Sequence, residues 1–118
     1  MKPRRLFRLR ELFIEELSNV IHDKVKDPRL GFVTITDVEI SSDLEHAKVF
    51  VSVLEEGEVA KKTIEGLENA AGFIRYELKK RIKNLRTFPA LSFHLDESLK
   101  RGSQVIEALN KLQEDEKS

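Results

Sequence analysis

The sequence predicts an α+β domain in which one three-stranded sheet carries its helices on a single face. Three observations lead there. Apolar residues recur at helical spacing over 4–26 and again from Glu58 to Leu85. Two β-branched runs, FVTITDVEIS at 32–41 and HAKVFVSVL at 46–54, flank the polar turn Ser42-Asp43-Leu44-Glu45. A third alternating run, Leu91 to Asp96, follows Pro89. At 118 residues the chain suits one domain, expected over 1–113, with 114–118 a short frayed acidic tail that has no apolar group to bury.

In the first helix Leu6, Leu9, Phe13, Leu17, Val20 and Ile21 form one stripe, widened by Leu12 and Ile14. Pro28 ends it, and Asp27 to Gly31 reads as a turn. In the first strand Val33 and Ile35 have one parity and Val38 and Ile40 the other. A bulge near Thr36-Asp37 is therefore expected if all four face the core. The second strand alternates cleanly through Ala47, Val49, Val51 and Val53, so the two runs predict an antiparallel hairpin.

From Glu58 the apolar positions are 60, 64, 67, 71, 74, 78, 82 and 85. A straight helix of that length would run about 42 Å, longer than a compact domain of this size accommodates. The reading is a helix over 58–69, a kink at Ala70, Ala71 and Gly72, and a second helix over 73–84, with Gly66 a competing place to bend. A last helix is expected to carry Leu99, Val105, Ile106, Leu109 and Leu112.

Composition excludes several function classes. There is no cysteine, so disulfides and thiolate metal sites are ruled out. The basic start MKPRRLFRLREL lacks the unbroken apolar core of a signal peptide, and no run is long enough to span a bilayer, so a cytoplasmic protein without a membrane association is expected. Formal net charge is zero, but its distribution is polarised: segments 1–31, 32–72, 73–101 and 102–118 carry +3, −6, +5 and −2.

Against catalysis, His22, His46 and His94 and the carboxylates Asp37, Asp43 and Asp96 occupy no recognised ligand or catalytic spacing. The rival reading from the enzyme class is a metal-dependent hydrolase built on Asp37, Asp43, His94 and Asp96, of which His94 and Asp96 share a strand face and could hold a metal ion. An ordinary polar sheet face, or a helix cap at Asp96, is the favoured explanation of the pair. No catalytic residue, cofactor or metal is expected.

The basic constellations point elsewhere. Arg75, Lys79, Lys83 and Arg86 are spaced to stack on one face of the second helix of the pair, on the shoulder of its apolar stripe, with Lys80 and Arg81 extending the patch. Only Glu77 opposes them within 73–86, so mutual repulsion is left for an anion to relieve. Arg4, Arg5, Arg8 and Arg10 form a second cluster with no acid inside it, and the planar arginine fork suits phosphate oxygens. The plain alternative is a solvated face; a second is a protein-interaction module using the sheet and no RNA. A phosphate backbone is the partner both clusters would fit, most strongly if they converge in space.

Residues across nearly the whole chain then resemble the ribosome-binding factor A family. They are Asp27-Pro28-Arg29-Leu30, the run from Val33 to Val38, Ser42-Asp43-Leu44 with Ala47-Lys48-Val49, and Ala71-Gly72-Phe73-Ile74-Arg75. The series continues with Leu85-Arg86, Pro89, Leu91, Phe93, Asp96, Ser98-Leu99 and Gly102. The resemblance implies a KH domain of the second topological type, in which an Ala-x-Gly kink at Ala70, Ala71 and Gly72 stands where RNA-binding KH domains have a GxxG loop. It further implies a non-catalytic assembly factor, monomeric when free, that binds immature 30S ribosomal subunits. That factor would assist late 16S rRNA maturation, including 5′-end processing, and support growth at low temperature.

Overall fold

The computed structural model describes residues 3–25, 33–54 and 56–97. The expected turn at 27–31, the last helix and the acidic tail lie outside the described residues. Within them the order is α1 (Pro3–Lys24), β1 (Val33–Ile40), β2 (His46–Val53), α2 (Glu58–Asn69), α3 (Ala71–Arg81) and β3 (Ala90–Leu95).

Of the predicted stripe α1 buries Leu9, Phe13, Leu17, Val20 and Ile21, while Leu6 is only partly covered. Leu12, assigned to the widened stripe, is instead exposed, since it lies at the stripe's edge. Pro3 opens the helix at a position where a missing N–H loses nothing.

β1 and β2 pair antiparallel, and the register shifts between Ile35 and Asp37, so Ile35 meets Val51 while Val38 meets Val49. The extra residue restores parity, and both Ile35 and Val38 face the core. Polar contacts hold this bulge. Asp37 Oδ1 accepts the N–H of Val38 at 2.8 Å, and the Thr36 hydroxyl donates to Asp96 Oδ2 at 2.5 Å. In the hairpin turn Leu44 takes φ 62°, a left-handed conformation that its packing against the core holds in place.

The sheet order is β1-β2-β3, and β3 runs parallel to β2, with Val49 beside Phe93 and Ala47 beside Leu91. Parallel neighbours need a long crossover. The helix pair α2–α3 supplies it. Glu68 of α2 fastens the arrangement by accepting the N–H of Phe93 at 2.7 Å on the outer edge of β3.

One core unites the inward sheet residues Ile35, Val38, Ala47, Val49, Val51 and Phe93 with the helical Phe13, Leu17, Leu67, Ile74 and Leu78. The opposite sheet face presents Thr34, Glu39, His46, Lys48 and His94 to solvent.

The long apolar period from 58 onward divides at Ala70, which has φ −91° and ψ 0° between the two helices. Gly66 does not bend the chain; it sits buried within α2, and Gly72 lies inside the first turn of α3. The expected helix over 73–84 starts and stops earlier. Ile82 turns extended at φ −110° and ψ 106°, and Asn84 is left-handed at φ 73°. Ile82 is buried and Leu85 packs against the core from this irregular stretch, which is why their spacing imitated a longer helix.

Candidate nucleic-acid interface

Ten cations were singled out by the sequence, and the structure sorts them by what they already hold. Arg75 is half-buried: its Nη2 donates to the carbonyl of Phe88 at 2.8 Å and its Nε to that of Pro89 at 3.1 Å. The guanidinium lies 5.7 Å from the centre of the Phe88 ring, which in turn stacks on Phe13 at 5.5 Å. Arg75 thus pins the 88–89 segment to α3 and is not the surface cation its spacing implied.

Arg10 is likewise engaged. It reaches Asp37 Oδ1 through Nε at 2.8 Å and Nη2 at 2.7 Å, and Glu11 through Nη1 at 2.9 Å, tying α1 to the bulge of β1. Arg81 pairs with Glu16 at 3.4 Å, linking α3 to α1. Lys80 stands 3.4 Å from Glu77 and 4.3 Å from the centre of the Tyr76 ring. Desolvation pulls the Lys80 pKa down, but the Glu77 hydrogen bond and charge, with Tyr76, outweigh it and leave the group raised and firmly cationic.

Six cations remain. Arg4, Arg5, Arg8, Lys79, Lys83 and Arg86 are exposed and make no hydrogen bond or ion pair with another described residue. The α1 arginines stand in the first two turns of a helix whose first turn holds no acid. Unsatisfied N–H groups make that end partially positive, so each arginine there is disfavoured until an anion approaches. Lys79 sits at the opposite, favourable end of its helix.

Glu16 contacts the end of α3, and Arg8, Arg5 and Arg4 lie about 12, 17 and 18 Å from Glu16 along α1 at 1.5 Å per residue. The chain presents two basic patches on neighbouring helices, with Glu11, Glu15 and Glu16 along α1 beyond the first.

The carboxylates of the hydrolase reading have local structural partners. Asp37 holds the bulge and Arg10, Asp96 holds Thr36, and Asp43 accepts the Ser41 hydroxyl at 2.6 Å and the Glu45 N–H at 3.0 Å. The Ser41 hydroxyl and then the Glu45 N–H hold the Asp43 pKa below its ordinary value. Among the described residues no three His, Asp or Glu side chains gather closely enough to hold a metal ion. No described helix is long and apolar enough to cross a membrane.

Sequence reasoning passed over two exposed aromatics on α3, Phe73 and Tyr76, which are 46% and 59% accessible. Their signal was available: both fall off the apolar stripe of Ile74 and Leu78.

The family model for ribosome-binding factor A matches residues 5–109. This chain belongs to the ribosome-binding factor A family. A family member from Halothermothrix orenii is 48% identical over 118 residues, covering all of this chain and 96% of its own. The solution NMR structure of a Thermotoga maritima protein matches with a TM-score of 0.70 at 35% identity, covering 80% of this chain and 90% of that one. A homology model of the Thermus thermophilus ribosome binding factor A, fitted into the cryo-EM map of its 30S complex, matches with a TM-score of 0.62 at 26% identity. It covers 75% of this chain and 91% of that one. The family match takes in α1 from Arg5 onward, the whole sheet and both described basic patches apart from Arg4.

Proposed function

We propose that this chain is a small-subunit assembly factor that binds immature 30S particles and assists late 16S rRNA maturation, including 5′-end processing, without catalysing a reaction. Membership of the ribosome-binding factor A family over 5–109 carries the reading, together with the 30S complex into whose map a relative was fitted. The six uncommitted cations support a phosphate-bearing partner, since Lys and Arg that hold nothing internally are available to displace counterions. On this reading the protein acts by binding: it favours one rRNA arrangement by its greater affinity for it and leaves when the subunit matures.

We also read the fold as a KH domain of the second topological type with an Ala-x-Gly junction at Ala70, Ala71 and Gly72. The α-β-β-α-α-β order, the parallel β2–β3 pair and the helix break at Ala70 support it. The working protein is taken as a cytoplasmic monomer that needs no cofactor and matters most for growth at low temperature.

Co-sedimentation with immature and mature small subunits tests partner and stage together. Binding to the immature particle, weakened as salt rises, is expected. A chain that pellets with neither particle, or whose binding survives nuclease removal of rRNA, overturns the proposal.

A further inference from the structure

On an α-helix each residue turns about 100° from the last. Measured from Phe73, the buried Ile74 and Leu78 lie near 100° and 140°, and the axis opposite that core face lies near −60°. Phe73 at 0°, Tyr76 near −60° and Lys80 near −20° all fall around this outermost line. Both aromatic rings are exposed and neither belongs to the core cluster. Among the described residues the core packing makes no use of them.

Gly72 is exposed one turn before Tyr76, and a Cβ there would meet nothing within 4 Å, so the flank of the rings is open. Lys80 Nζ stands 4.3 Å from the centre of the Tyr76 ring, and the uncommitted Lys79 and Lys83 are close by in the chain. A flat apolar surface set beside positive charge has the chemistry of a nucleotide: a π-face for stacking and a phosphate for the cation. A duplex keeps its bases stacked on one another and offers no free face to such rings. An unpaired nucleotide does.

We propose that Phe73 and Tyr76 are a stacking platform for unpaired rRNA bases, with the uncommitted Lys79 and Lys83 receiving the adjoining phosphates. This rests on the assembly-factor reading and specifies it: the α3 patch selects single-stranded RNA, a junction or a displaced strand, over helical RNA. Phosphate contacts set affinity there, and the rings set the preference for unpaired substrate.

The test exploits a spectroscopic accident of the sequence, which contains one tyrosine and no tryptophan, so intrinsic emission reports on Tyr76 alone. A short unpaired oligoribonucleotide and the duplex of the same sequence are titrated into the full chain at low salt. Quenching that saturates with the unpaired strand and is absent with the duplex is expected. With labelled RNA, Phe73→Ala and Tyr76→Ala are expected to lose on the order of 5- to 100-fold in affinity for the unpaired strand, while Tyr76→Phe keeps it. Equal binding of both RNAs, or alanine variants as tight as the parent, overturns the platform.

Immature small subunits form the second arm. If the parent chain fails to co-sediment, the assembly-factor reading falls. If it co-sediments and the alanine variants do so equally, only the platform falls. If the alanine variants lose the particle while unpaired RNA leaves Tyr76 emission unchanged, the rings meet a ribosomal protein and the platform is again overturned.

Discussion

Replacing Arg75 by alanine separates a structural arginine from a binding one. The side chain supplies two charge-assisted hydrogen bonds to main-chain carbonyls, at 2.8 and 3.1 Å, and a cation–π contact to Phe88. Bonds to a charged group are worth about 1.5–3 kcal/mol each, and the ring contact about 0.5–1 kcal/mol at a partly exposed site. Arg75 is half-buried, so water replaces part of what is lost and the terms overlap; the net expectation is about 2–3 kcal/mol. At this chain length that is a fall in Tm of roughly 6–20 °C. Thermal and urea unfolding followed by circular dichroism measure it. Arg75→Lys is expected to recover only part of the loss, because one ammonium on a flexible stem replaces a planar fork aimed at two carbonyls. A Tm within about 2 °C of the parent for the alanine variant would show that the 88–89 segment is held by the Phe13–Phe88 stack alone and refute the assignment.

Reversing Lys79, Lys83 and Arg86 to glutamate should leave Tm nearly unchanged, weaken binding to small-subunit particles and lower the salt slope by about 0.7–0.9 per phosphate contact removed; co-sedimentation over a salt series checks it. Arg81→Ala should cost no more than about 1 kcal/mol in urea unfolding, since its Glu16 pair is 28% and 21% accessible and screened. Asp43→Asn should destabilise the chain at neutral pH and not in strong acid. Because the folded-state pKa of Asp43 is depressed, its contribution is fully present above the ordinary value of 3.8 and is lost as pH falls through the lower folded value. Paired unfolding curves across acid pH read this directly. Substituting Arg4, Arg5 and Arg8 by glutamine should weaken particle binding while stabilising the free protein at low salt, by roughly 0.3–1 kcal/mol for each of Arg4 and Arg5 in the first turn and by less for Arg8, the gain vanishing at high salt.

The elements that local periodicity encodes were legible. The Phe13–Leu17–Val20 stripe, the alternation of β2, and the parity change that forced a bulge between Ile35 and Val38 are all recorded within a few residues of themselves. The parallel pairing of β3 with β2 was not, because it joins residues some 44 positions apart, as in Val49 and Phe93, and no local signal marks it. The end of α3 was misplaced for a related reason. Leu85 reaches the core from irregular backbone, and sequence spacing cannot distinguish that from another helical turn. At the site, Arg75 and Lys79 look equivalent as members of one i, i+4 run. They differ only because Arg75 lies nearer the buried face and meets carbonyls contributed by Phe88 and Pro89.

That sorting bears on how the protein would hold RNA. On α3 the arginines are occupied: Arg75 bridges two carbonyls and Arg81 pairs across to α1. The cations left free on or just after that helix are chiefly lysines, compact charges on flexible stems that fit many phosphate positions and fix none in orientation. A patch of that kind attracts a strand without reading it. On the stacking proposal, discrimination at α3 comes from groups with a fixed plane, the exposed rings of Phe73 and Tyr76. On α1 the opposite holds, where Arg4, Arg5 and Arg8 keep their forks free and stand at a helix end that favours an anion. If both patches hold RNA as proposed, they are unequal in kind: the α1 arginines suit a phosphate gripped in a defined geometry, and α3 suits a flexible strand whose bases stack on its rings. Exchanging the residue types, lysine for arginine on α1 and arginine for lysine on α3, conserves net charge and should nonetheless weaken the first contact and leave the second intact.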